Sequence, residues 1–155
     1  MKRITLYMLL LVAALIAPVE KMDVAQLRPV EVVCLQRQDD QVILQTDTED
    51  IGIGTDAMQA LEELKRTSPA KIYLDTADYL LIGEGAEVDV EDLRQVLKPT
   101  VRVCLIRQNI SLEDVGKFLQ IHGNVPKLKQ WKKGMELPIL DSENDRLKLL
   151  KKSEI

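Results

Sequence analysis

The sequence predicts an α/β (α+β) domain: a mixed β-sheet of about four or five strands packed by three helices, behind an N-terminal signal or anchor helix. Three observations predict it. Short β-branched runs alternate with stretches of helical periodicity, in the order strand, strand, helix, strand, helix, strand, helix. The runs Tyr79–Gly83 and Val101–Arg107 are almost continuously apolar, as strands covered on both faces are. Lys2 and Arg3, the apolar run Ile4–Ala17 and Pro18 form a separate leading segment.

That leading segment has the basic start and short apolar run of a secretory signal. Positive charge at Lys2 and Arg3 would keep the N-terminus inside and send the rest across the membrane. Two outcomes stay open for residues 1–18, cleavage as a signal peptide or retention as an N-terminal membrane anchor, with a buried core helix as the alternative that the basic start and terminal position disfavour. Residues 4–17 would touch the membrane if uncleaved. The location expected is therefore extracytoplasmic, either membrane-anchored or secreted.

The elements follow in order. Val30–Gln36 and Gln41–Gln45, joined by Arg37-Gln38-Asp39-Asp40, read as an antiparallel hairpin. After the polar loop Thr46–Gly54, Thr55 is placed to cap a helix carrying Ala57, Ala60, Leu61 and Leu64, which Ser68-Pro69 ends. Lys71–Leu74 is a short strand and Tyr79–Gly83 a buried one. Asp89 caps a second helix bearing Val90, Leu93 and Leu97, closed by Pro99. Val101–Arg107 is a central strand, and Leu81, Ile82, Val103 and Leu105 are expected in the core. Ser111 caps a third helix, with Leu112, Val115, Phe118 and Leu119 on one face and Gly123 past its end.

The charge is uneven. Residues 19–123 carry a net −9 and residues 124–155 a net +3. An acidic body argues against nucleic-acid binding. The domain is expected to span residues 28–123. Residues 124–155 read as a basic C-terminal extension containing Trp131 and a short amphipathic helix from Ser142, with Leu147, Leu149 and Leu150. On that reading the extension is dispensable for folding and docks weakly on the body or on a partner.

No set of catalytic, cofactor-binding or metal-ligating residues emerges, and no cofactor is expected. Gly52-x-Gly54 precedes a helix and its backbone N–H groups could cradle an anion. The neighbouring Asp47-Thr48-Glu49-Asp50 would repel phosphate, which favours a simple turn. Asp75 and Asp78 supply too few oxygens for calcium and read as surface turn residues. His122 sits where it can meet the last carbonyls of the third helix. Cys34 and Cys104 lie in apolar strands and read as buried free thiols, with a bridge as the alternative an oxidising exterior permits. Trp131, flanked by Lys129, Lys132 and Lys133, packs the extension onto the domain or sits at a membrane interface.

One stretch carries a family resemblance. Gly54–Leu105 runs as a glycine turn, a helix with Ala60-Leu61-x-x-Leu64, a segment containing Tyr73, then Leu80-Leu81-Ile82-Gly83-Glu84, then Asp89–Leu97 and a hydrophobic strand. This order resembles the N-terminal domain of Ger(x)C proteins, the C subunits of spore nutrient-germinant receptors, over roughly residues 28–120. Its best motif is Leu80–Ala86. Thr76 or a neighbour stands where the family has His, no lipobox cysteine follows the apolar run, and the family's larger C-terminal domain has no room. The resemblance implies a short stand-alone relative of that module. It implies a non-enzymatic protein acting in spore germination or sporulation through contact with a membrane-associated protein partner. The contact surface would be an exposed sheet edge or an acidic helical face. The alternative is a small secreted ligand-binding module or enzyme of unknown substrate.

Overall fold

A computed structural model of the chain describes residues 27–107, 110–143 and 146–150. The leading segment 1–18 lies outside the described residues. Among the described residues, no helix is long and apolar enough to cross a membrane.

The strands are β1 (Leu27–Pro29), β2 (Val32–Gln38), β3 (Gln41–Thr46), β4 (Ile51–Gly54), β5 (Lys71–Tyr73), β6 (Tyr79–Ile82), β7 (Arg102–Ile106), β8 (Ile139–Glu143) and β9 (Arg146–Leu150). The helices are α1 (Ala57–Thr67), α2 (Val90–Leu93) and α3 (Val115–His122), with single 3₁₀ turns at Leu74–Thr76, Ala86–Val88 and Leu128–Gln130. Seven strands make one mixed sheet in the order β4-β3-β2-β6-β7-β8-β9, while β1 and β5 pair separately. The sheet is therefore larger than the sequence suggests, and β5 stands outside it.

The centre of the sheet, β2-β6-β7-β8, is parallel. An antiparallel strand or hairpin flanks it on each side. Alternation of side chains splits the core in two. One face carries Val33, Leu35, Val42, Leu44, Leu80, Ile82 and Val103 against α1 and α2. The other carries Val32, Cys34, Leu81, Cys104 and Ile106 against α3. Leu81, Ile82 and Val103 are fully buried, as expected, and Leu105 is partly so.

Helix boundaries differ from the sequence reading because side chains find tertiary partners. Asp56, not Thr55, caps α1: its carboxylate accepts from the Gln59 amide at 2.8 Å, and Thr55 bonds the Gln59 side chain. Asp89 makes no capping bond because its carboxylate is taken by Arg37, and α2 is a single turn. The third helix starts at Val115 rather than at Ser111, with Asp114 at its cap position.

The largest correction concerns residues 124–155. No helix starts at Ser142. Ile139–Glu143 and Arg146–Leu150 form the β8–β9 hairpin, and β8 extends the parallel sheet from β7. Leu147 and Leu149 alternate with Arg146 and Lys148, a period of two that half-buries one face of an edge strand. The segment before it is no less integral. The Val103 and Leu105 amides donate to the carbonyls of Pro126 and Pro138, at 2.8 and 2.9 Å. Leu128, Trp131 and Leu137 join the core under α2. The domain does not end at Gly123, because β7 needs a partner along its outer edge and this segment supplies it.

Candidate functional site

The free edge at β4 combines three properties. First, its sequence Ile51-Gly52-Ile53-Gly54 puts glycine on one face and isoleucine on the other. A Cβ on Gly52 would run into the Ala60 carbonyl oxygen, and one on Gly54 into the Ala60 amide nitrogen. The glycines therefore let α1 lie directly against the strand. The expected turn before a helix is instead an edge strand in close contact with that helix. Second, Ile51 and Ile53 are 48% and 47% exposed on the opposite face. Third, β4 pairs only with β3 among the described residues, so its outer backbone groups face away from the sheet.

The acidic loop before β4 holds the edge in place. Asp50, buried, accepts from Thr48 Oγ1 at 2.6 Å and from Arg28 at 3.2 Å. Burial pushes its carboxyl up, but hydrogen bonds from Thr48, Ser68 and Arg28, with the Arg28 charge, outweigh burial and hold it below the usual value. Asp47 accepts the Glu31 amide at 3.2 Å, yet there burial wins and its carboxyl is raised. The loop spends these carboxylates on structure.

Concave surfaces also lie elsewhere among the described residues. At the carboxyl ends of β2, β6 and β7, a cleft of about 270 Å³ is lined by Gln36, Arg37, Gln38, Gly83, Glu84, Ile106 and Arg107. Ligands of open α/β sheets favour that end. Here Arg37 is committed to Asp89 through bonds of 3.0 and 2.7 Å, and the hydrogen bond to Asp89 raises its already high pKa further. Between α3 and β9 runs a larger apolar groove of about 590 Å³, with Phe118, His122, Asn124, Leu147 and Leu149 in its wall.

The structure does not gather the residues singled out in the sequence into one site. Asp75 and Asp78 are exposed near the start of β6. His122 is exposed, with its ring 4.8 Å from Phe118. Thr76 bonds the Val30 backbone through its hydroxyl. Trp131 is 4% exposed in the core. Cys34 and Cys104 are buried free thiols. Each is in register with Leu81, which separates them by two strand spacings, roughly 9–10 Å, beyond the ~7 Å Cα limit for a disulfide. Among the described residues no group of three His, Cys, Asp or Glu side chains could hold a metal ion. Ile51 and Ile53 were the residues sequence reasoning missed; their alternation with glycine was the available signal. No family model, curated protein or solved structure matches the chain.

Proposed function

We propose that this chain is a non-enzymatic, extracytoplasmic, membrane-associated protein that acts by protein–protein contact through its β4 edge. The observation that carries the reading is the pair Ile51 and Ile53, half-exposed on a strand whose outer side has no strand partner among the described residues. Such an edge invites another strand, and proteins normally blunt it with charge, proline or a bulge. β4 is short, at four residues, but its side chains bring neither charge nor proline to the edge. A partner strand would gain backbone hydrogen bonds and bury both isoleucines.

Lys2, Arg3 and the run Ile4–Ala17 support export, with residues 4–17 as the membrane tether where they are retained. The resemblance of Gly54–Leu105 to the Ger(x)C N-terminal module is what supports a contact in germination or sporulation. A second reading, a small secreted ligand-binding module or enzyme, is favoured by the apolar groove between α3 and β9.

Two measurements test the proposal. A reporter active only outside the cytoplasm, fused after Ile155, should work; activity confined to a cytoplasmic reporter would overturn the location. A photo-crosslinking side chain at Ile53 should capture a protein in intact cells, whereas one at the exposed Val88 should not. Equal capture at both, or capture at neither, removes the edge as the contact surface.

A further inference from the structure

We propose that the β4 edge is met by the β9 edge of a second copy, so that copies join head to tail by antiparallel β4–β9 pairing; this rests on reading β4 as the contact surface. Strand direction permits it. β4 runs with the parallel centre, being antiparallel to β3, which is antiparallel to β2. β9 runs against that centre, being antiparallel to β8. A copy moved sideways along the sheet therefore brings β9 antiparallel to β4, the pairing that needs no crossover.

The faces agree as well. Gly52 and Gly54 lie on the α1 side, so Ile51 and Ile53 lie on the side that α3 covers elsewhere in the sheet. Leu147 and Leu149 pack on that same side, in the core beneath α3. Joined edges would form one apolar strip from Ile51 and Ile53 to Leu147 and Leu149. The coverage is complementary: α1 packs over one face of β4, and α3 of the incoming copy, with Ile121 77% exposed, flanks the other face at β9.

Charge favours the same pairing over two like edges. Near β4, Asp47, Asp50 and Glu63 are held by the Glu31 amide, Arg28 and Arg66, which leaves Glu49 and Glu62 as exposed carboxylates beside the edge. β9 carries Arg146 and Lys148, in register with Glu143 and Asp141 of β8, and no acidic residue of its own. Such attraction fades once salt shortens the Debye length to ~3 Å at about 1 M. Joining unlike edges leaves one of each free, so the assembly grows as an open chain rather than closing as a dimer.

The test uses the full chain in mild detergent, with mass read by light scattering after size exclusion. The wild type should grow past two chains with concentration and shrink at about 1 M salt. Ile51→Lys/Ile53→Lys and Arg146→Glu/Lys148→Glu should each remain single chains. Mixed in equal amounts they should associate, since each retains the edge the other lacks. Several results overturn the proposal: a wild type that stays single, a dimer formed by the Arg146→Glu/Lys148→Glu variant alone, or equal assembly of every sample through residues 4–17. A single-chain wild type whose Ile53 position still crosslinks to a different protein in cells sinks the copy-to-copy joint and leaves the contact edge standing. Absence of both signals sinks both.

Discussion

The Arg94 guanidinium lies over the Trp131 ring, 5.3 Å from its centroid, and donates to the Trp131 carbonyl oxygen. Arg94 ends the α2 turn, and Trp131 lies between α3 and β8. The contact fastens the C-terminal segment to the body, through stacking of cation on ring and through burial of the largest side chain in the protein. Trp131→Ala should therefore cost about 3–5 kcal/mol in urea unfolding. A chain cut after Gly123 should show no cooperative transition, because β7 loses its outer neighbour. A sharp transition in the truncated chain would restore a domain boundary at 123.

Gly52 faces the α1 backbone with no space for a methyl group, since a Cβ there would also lie 2.6 Å from the Leu64 Cβ. Gly52→Ala should lower stability by about 1–3 kcal/mol as α1 is pushed off the strand. Gly85 makes a useful contrast. Its φ of +79° favours glycine, but nothing lies within 4 Å of an added Cβ. Gly85→Asn, a residue that tolerates left-handed backbone, should melt close to the wild type. Thermal unfolding of the two variants checks both, and a tolerant Gly52 would mean that β4 and α1 are not in direct contact.

Cys34 and Cys104 sit on either side of Leu81. Burial pushes both thiols up to about 12, with the neighbouring Cys34 adding to the effect at Cys104. Neutral, enclosed thiols are poor nucleophiles. A thiol reagent at neutral pH should label neither cysteine in the native protein and both after unfolding. Leu81→Ala should cost roughly 2–5 kcal/mol and speed labelling. Rapid labelling of the native wild type would contradict the burial of this row.

Asp50 has a lowered folded pKa, so the fold prefers its charged form. Its contribution is fully present above the unfolded carboxyl range, near pH ~3.9, and is lost as pH falls through the lower folded value. Asp50→Asn should cost about 1–3 kcal/mol at neutral pH, with the gap to the wild type closing in acid. Asp47 has the opposite sign. Its raised pKa favours the folded state below the unfolded value and weakens it as pH rises through the folded one. Asp47→Asn should be neutral or stabilising at pH 7. Urea midpoints across acid and neutral pH check both, and a pH-independent Asp50→Asn deficit would remove the charge argument.

The sequence by itself determined the first hairpin, α1, the buried strands β6 and β7, and the packing helix before Gly123. The hairpin and the helices bury one face each, which periodicity records, while β6 and β7 are covered on both faces and show as continuous apolar runs. The free thiols were legible for the same reason: Cys34 and Cys104 stand in apolar runs. Only the tertiary structure decided that the basic C-terminal segment is β8 and β9, because the alternation of Leu147 and Leu149 with Arg146 and Lys148 is too short to separate strand from helix and the unpaired edge of β7 decides it. It also decided that Asp89 holds Arg37 instead of capping a helix, a partnership 52 residues apart in the chain. The candidate contact edge belongs to the same class. The glycines of Ile51–Gly54 read as a turn in one dimension. They become a sheet edge when α1 folds back against them, burying the glycine face and leaving the isoleucines exposed.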